Sequence, residues 1–158
     1  MPNIVLTRID DRLIHGQVMT AWVKCKQANR IIIVDDNIAQ DEFMQKVLKM
    51  AAPPGIKVEV YDVQRAIKVL REDLTNDNII ILAKYPATIF SLLEGGVKIS
   101  ELNVGGMGAS PGRKLLYKNI SVSEEEKEIF KKILEKGVPI TIKIVPDEKG
   151  VEMKKFLR

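Results

Sequence analysis

The chain has one cysteine, one histidine and one tryptophan among 158 residues, and aromatic residues make up only 5% of it. A lone Cys25 cannot close an intrachain disulfide, which argues against a stapled secreted scaffold and for a reducing compartment. One histidine and one cysteine do not make a ligand set, so neither a metal nor any other cofactor is expected. Scarce aromatics leave no base-stacking platform beside a basic stripe. The net charge of +4 comes from 25 Lys+Arg against 21 Asp+Glu, spread along the chain apart from small clusters such as Lys131-Lys132 and Lys154-Lys155. It reads as solvated helix faces, and no nucleic-acid partner is expected. Apolar runs such as Ile79-Ile80-Ile81-Leu82-Ala83 are far shorter than the ~18–20 residues of a membrane span. The opening Met-Pro-Asn-Ile-Val-Leu-Thr-Arg reads as a strand, without the basic start and apolar core of a secretion signal. With only 10 Gly and 7 Pro, and with abundant Ile, Val and Leu, the chain is neither low-complexity nor disordered. One cytoplasmic domain over residues 1–158 is expected.

What is present is an alternation of two periods. Near-continuous β-branched runs mark strands at Asn3–Arg8, Arg30–Val34, Lys57–Val60, Asn78–Ala83, Glu101–Val104, Leu116–Val122 and Ile140–Val145, as in a parallel sheet covered on both faces. Between them apolar residues recur at helical spacing: Val18, Ala21, Trp22, Cys25; Met44, Val47, Leu48, Ala51; Val63, Ala66, Ile67, Leu70. A shorter helix follows Pro86, burying Ile89, Leu92 and Leu93, and ends at Gly95-Gly96. Ser123-Glu124-Glu125-Glu126 is a capping box for a helix that buries Phe130, Ile133 and Leu134 and stops at Gly137. The tail Val151–Leu157 is expected to add a last helical turn or two. Trp22 and Met44 read as core, and Cys25 as a small buried hydrophobe. The pattern predicts an α/β fold, a single-domain three-layer α/β/α sandwich on a mostly parallel sheet of about six or seven strands. Any site then belongs at the carboxyl ends of the strands.

The first strand ends in Thr7-Arg8-Ile9-Asp10-Asp11-Arg12-Leu13-Ile14-His15-Gly16-Gln17. Four charged residues and the only histidine therefore meet where a strand ends and a helix starts. A helix start offers unpaired N–H donors and about half a positive charge, which suits a phosphoryl dianion. Arg12, and after it Arg8, can supply planar bidentate contacts to phosphoryl oxygens. The same field disfavours imidazolium and so favours a nucleophilic His15. Asp10 or Asp11 could hold one ring nitrogen as N–H and present the other, or either could serve only to fix the loop. Gly16 leaves the backbone open beside the ring.

The run Arg8–Val18, with Trp22 after it, resembles the signature of the EIIB component of the mannose/fructose/sorbose family of the sugar phosphotransferase system (PTS). A second stretch, Leu102-Asn103-Val104-Gly105-Gly106-Met107, reached after Gly95-Gly96-Val97-Lys98-Ile99, is similar to the same family, as is its sequel from Lys114 to Ser121-Val122-Ser123. The resemblance spans essentially the whole chain. It implies a phosphoryl-relay enzyme in which His15 accepts a phosphoryl group from a phosphohistidine of EIIA. The group then passes to a sugar translocated by the membrane components EIIC and EIID. It also implies that Arg12, Asp10 and Asp11 are the immediate surroundings of His15. With a single histidine, the donor EIIA is expected on a separate polypeptide, and the chain is expected to associate peripherally with the permease. Self-association is left open. Such a relay needs positioning and charge neutralisation, with arginines and amides where a nucleotide-dependent kinase uses magnesium.

The Gly-rich stretch Asn103–Gly112 fits neither the Walker nor the dinucleotide spacing. It is either a set of tight turns, or a loop in which Gly105 and Gly106 shape the phosphoryl pocket or the partner face. Lys84, after the fourth strand, is expected on the same rim as Arg8, Asp11 and Gly16. One alternative is a receiver-like signalling module, suggested by Asp35-Asp36 after a strand and by Lys84. There Asp62, the candidate acceptor, comes too soon after Asp36, and the His15 loop goes unexplained. The other alternative is a domain that binds phosphate or a nucleotide without covalent modification.

Overall fold

The structure, a computed structural model, describes residues 2–157. The β-branched runs form strands because both their faces can be buried: Ile31, Ile32 and Ile33 of β2 (Arg30–Val34) show no exposed surface, nor do Ile79–Ala83 of β4 (Asn78–Ala83). Side chains alternate across the sheet, so Ile79, Ile81 and Ala83 face one layer of helices and Ile80 and Leu82 the other. The remaining strands are β1 (Asn3–Asp10), β3 (Lys57–Tyr61), β5 (Leu102–Gly106), β6 (Lys114–Tyr117), β7 (Ile120–Val122), β8 (Ile140–Ile142) and β9 (Val151–Glu152). Seven strands make one sheet in the order β3-β2-β4-β1-β5-β8-β9, parallel throughout except for β9 against β8.

Helices α1 (Gly16–Lys26) and α2 (Glu42–Ala51) cover one face through Met19, Trp22 and Leu48. Helices α3 (Val63–Glu72), α4 (Pro86–Glu94) and α5 (Glu124–Glu135) cover the other through Ala66, Leu70, Ile89, Leu92, Phe130 and Ile133. The chain leaves β1 toward the α1–α2 face, whereas it leaves both neighbouring strands, β4 and β5, toward the opposite one. Connections that diverge on either side of β1 open a crevice at its carboxyl end. The strand order thus points to the end of β1.

Three caps set helix starts. Asp41 accepts from Met44 N at 3.0 Å, Asp62 from Arg65 N at 2.7 Å, and Ser123 with Glu126 forms both halves of the expected capping box. At the amino end of the sheet, Arg30 is 5% exposed and pairs with Glu59 and Asp73, tying β2 and β3 to the end of α3. Burial alone would raise both carboxyls, but the Arg30 hydrogen bonds hold each below its ordinary range.

Several expectations need correction. The run Leu116–Val122 is not one strand but a separate antiparallel hairpin, β6–β7, reversed where Lys118 adopts φ 45°. Ile120 and Val122 reach the core while Leu115 stays 72% exposed. The tail is a short edge strand, β9, and one 3-10 turn at Met153–Phe156, because Met153 and Leu157 find core positions beside β8. β5 runs on through Gly105 and Gly106, so these glycines are strand residues rather than loop residues. Met44 is 36% exposed and Cys25 is exposed. α2 meets the sheet through Leu48 and turns Phe43, Val47 and Met50 to solvent, while Cys25 lines an open groove of about 620 Å³ between α1 and residues 145–147.

Candidate functional site

β1 carries its charges out of the sheet with a register shift against β5 between Ile9 and Asp10. Asp11 N then donates to Gly106 O at 3.1 Å, and Leu13 N to Asp10 O at 2.9 Å, with Leu13 at φ 58°. Leu13 and Ile14 are buried beneath α1, which pins the turn to the core. His15 follows as the residue before the first turn of α1, with a side chain 22% exposed. Unlike α2, α3 and α5, α1 has no side-chain cap, and its first turn holds no acidic residue. Its first N–H groups and the positive end of its dipole are therefore free for an anion. Gly16, at φ 42°, leaves open space where a Cβ would stand.

The hub of the site is Asp10, whose side chain is fully buried. Its Oδ1 accepts from Arg12 N and Arg12 Nε, both at 3.0 Å, and its Oδ2 from Arg8 Nη2 and Arg12 Nη2, both at 3.1 Å. His15 Nε2 lies 2.9 Å from the same Oδ2. Burial works to raise the Asp10 carboxyl, but the bonds from Arg12 and His15 and the Arg8 charge outweigh it and hold the group below its ordinary value. An ionised Asp10 can only accept, so Nε2 is the ring nitrogen that donates, and in the neutral ring Nδ1 is then the one that carries the lone pair.

Arg12, with a side chain 48% exposed, is bound to Asp10 and still open to solvent. Its guanidinium is raised above its ordinary value by the Asp10 hydrogen bond. Arg8 corrects the expectation of a phosphoryl contact. It has no exposed surface, donates to Asn103 Oδ1, Lys143 O and Asp10, and stacks over Trp22 at 5.3 Å. It holds Asp10 from within. Asp11 likewise turns away from the ring, accepting from Gly108 N at 2.7 Å with Arg113 Nη1 3.8 Å away. Gly105 and Gly106 matter as absences of side chain: a Cβ on Gly105 would stand 2.0 Å from the Arg8 guanidinium, and one on Gly106 2.9 Å from Asp10 Oδ1. Lys84 sits half-buried after β4 on the same rim, and among the described residues no hydrogen bond joins it to the Asp10 cluster.

Sequence reasoning missed Asn103 and Arg113 as parts of this assembly. Asn103 was legible only as a residue of the second motif, yet it is the buried partner of Arg8. Arg113 carried no signal at all. It clasps Glu126 twice at 2.9 Å and Gly108 O at 2.9 Å, fastening the loop after β5 to the start of α5.

Residues 4–158 match the family model described as the PTS system sorbose subfamily IIB component. The chain belongs to that family. It is 37% identical to the PTS system fructose-specific EIIB component of Bacillus subtilis (strain 168), over 100% of this chain and 98% of that one. It is 38% identical to the PTS system sorbose-specific EIIB component of Klebsiella pneumoniae, over 96% and 93%. The crystal structure of the IIBSor domain of the Klebsiella pneumoniae sorbose permease superposes with a TM-score of 0.94 at 36% identity, covering 99% of this chain and 96% of that one.

As a IIB component the chain is a phosphotransferase of PTS sugar uptake, and its family works with EIIA and with the membrane components EIIC and EIID. The alternatives are not favoured. The receiver-type acids are already engaged: Asp62 caps α3, and Asp36 accepts from Val63 N at 2.9 Å. Among the described residues no group of three or more His, Cys, Asp and Glu could hold a metal ion, and no helix is long and apolar enough to cross a membrane.

Proposed function

We propose that His15 is the residue that carries the phosphoryl group, through Nδ1, between a phosphohistidine of EIIA and the incoming sugar. The observation that supports it most is the 2.9 Å contact of Nε2 with the buried Asp10, at the uncapped start of α1. The Nδ1 lone pair attacks the phosphorus of the donor, the donor N–P bond breaks, and the donor imidazole keeps the electron pair. With Nε2 still protonated the new phosphoimidazole ring is cationic, and the ionised Asp10 stabilises that charge. The dianionic oxygens meet the free N–H groups of α1 and the exposed Arg12 fork. In the second transfer a sugar hydroxyl attacks phosphorus, the His15 N–P bond breaks and the hydroxyl proton is lost to the released ring.

On this reading Asp10 orients the ring, Arg12 neutralises phosphoryl charge, and Arg8, Gly105 and Gly106 support Asp10. Asp11 and Gly108 shape the neighbouring rim, and Gly16 leaves room for the phosphoryl group. Residues 1–158 act as one IIB domain on the cytoplasmic side, associated with the permease. Lys84 lies where it can add positive charge toward a docked partner.

The test is intact-mass measurement and peptide mapping after incubation with the phosphorylated general carrier protein and EIIA. One phosphoryl group is expected on the His15 peptide, labile in acid and stable in alkali, and none on the folded His15→Ala variant. Uptake of phosphate by that variant, or its mapping elsewhere, overturns the assignment.

A further inference from the structure

Five donor contacts on one buried carboxylate raise the question of what keeps Asp10 itself in place. Arg12 cannot be the anchor, since its side chain is half exposed and belongs to the same loop. Arg8 can, because it has no exposed surface and belongs to β1. Its guanidinium is in turn gripped from β5 and from Lys143, the residue that follows β8. Nη1 donates to Asn103 Oδ1 and, at 2.9 Å, to Lys143 O, while Asn103 Nδ2 donates to Lys143 O at 3.0 Å. Trp22 lies on one side of the guanidinium, and the bare backbone of Gly105 comes too close for any Cβ. Asn103 is 6% exposed, and its amide satisfies both Arg8 and a backbone carbonyl.

From this arrangement we infer that Asn103 is a positioning residue for phosphoryl transfer: it fixes Arg8, Arg8 fixes Asp10, and Asp10 fixes which nitrogen of His15 is free. The inference rests on the reading of His15 as acceptor. Its content is that the Asn103-Val104-Gly105-Gly106 segment serves the site without touching the phosphoryl group. Asn103 supplies the acceptor that turns the Arg8 fork toward Asp10, and Gly105 supplies the space that fork occupies. Without the amide, Nη1 retains only Lys143 O, and the fork is free to rotate into the vacated volume. The Nη2 bond to Asp10 Oδ2, the oxygen that also receives His15 Nε2, then loosens. A ring with a loosened acceptor populates the other tautomer, in which Nδ1 carries the proton and cannot attack.

One histidine in the chain makes the tautomer directly observable, since labelled imidazole gives a single pair of ring nitrogen resonances. In the wild-type protein Nε2 should appear protonated and Nδ1 unprotonated. In Asn103→Ala the two nitrogens should move toward each other in shift, and phosphoryl acceptance from phospho-EIIA should slow by about tenfold or more, the scale of losing an outer partner of a functional side chain. Gly105→Ala, whose Cβ displaces Arg8 from the other side with Asn103 intact, should reproduce the Asn103→Ala spectrum. A folded Asn103→Ala protein with the wild-type nitrogen pattern and rate refutes the inference. So does loss of the fold in both Asn103→Ala and Gly105→Ala, because these residues would then hold the sheet rather than the ring. Failure of the wild-type protein to accept phosphate on His15 sinks the parent reading alone, since the tautomer response of Asn103→Ala is read without any phosphoryl donor.

Discussion

Replacing Asp10 by asparagine separates what the buried carboxylate does for stability from what it does for chemistry. The shape is nearly conserved, but Arg8, with no exposed surface, loses its only charged partner within hydrogen-bond reach among the described residues. Removing one member of a buried pair costs about 3–5 kcal/mol. Arg8 keeps Asn103 Oδ1 and Lys143 O as acceptors, which places the expected loss near the lower figure. A loss of about 3 kcal/mol is a large part of the roughly 5–15 kcal/mol that holds such a domain together. With a urea slope of about 2 kcal/mol/M it lowers the denaturation midpoint by about 1.5 M. The Arg8→Met/Asp10→Asn double variant removes both charges, and because Arg12 and His15 reach solvent it should recover at least about 1 kcal/mol relative to the sum of the single variants. The double variant should nevertheless remain unable to accept phosphate at the normal rate, having lost the carboxylate that orients the ring. Equilibrium urea unfolding of the two single variants and the double variant is the assay. If Asp10→Asn shifts the midpoint by less than about 0.3 M, or the single-variant losses simply add, the buried pair is not the anchor described.

Other outcomes are equally concrete. Arg12→Ala should lower phosphoryl acceptance by about 10²-fold, the scale of one preorganised charge contact, and should cost less stability than Asp10→Asn because Asp10 keeps its bonds from Arg8, His15 and Arg12 N; a change smaller than twofold in transfer kinetics would make Arg12 a loop strut only. The pH dependence follows from Asp10, Glu59 and Asp73, all held below their ordinary values in the folded chain. Between the unfolded values near about 4 and the lower folded ones, the unfolded chain binds more protons, so stability falls as pH falls through that window. The urea midpoint should hold between about pH 7 and 5 and drop below about pH 4, and a midpoint that stays flat down to about pH 3 would contradict the argument.

Much of this molecule is local, and what is local was readable. Ile31-Ile32-Ile33 has no polar alternation, so a strand covered on both faces follows from the residues themselves. Ser123 and Glu126 stand three positions apart and form the capping box they spell. The concentration of Arg8, Asp10, Arg12 and His15 at one strand end likewise marked a candidate site, because strand-to-helix turns in α/β sheets collect function at that edge, and the four side chains do meet there around Asp10. Where the reading failed, the deciding contacts were distant along the chain. Leu116–Val122 has the composition of one strand, but Lys118 at φ 45° reverses it so that Ile120 and Val122 can reach a core built by other elements. Met44 shares a helical stripe with Leu48, yet only Leu48 meets the sheet, a rotation set by how α2 lies on the sheet.

By itself the sequence determined the layered α/β class and the gathering of Arg8, Asp10, Arg12 and the single imidazole at the end of the first strand, because each depends on residues within a few positions of one another. Only the tertiary structure decided the difference between two arginines four residues apart, one buried as a strut and one open to solvent. That choice rests on Asn103, Gly105 and Lys143, which approach Arg8 from positions 95 to 135 residues away along the chain. A side chain's access to solvent is a property of what packs over it, and no local pattern in the chain records that.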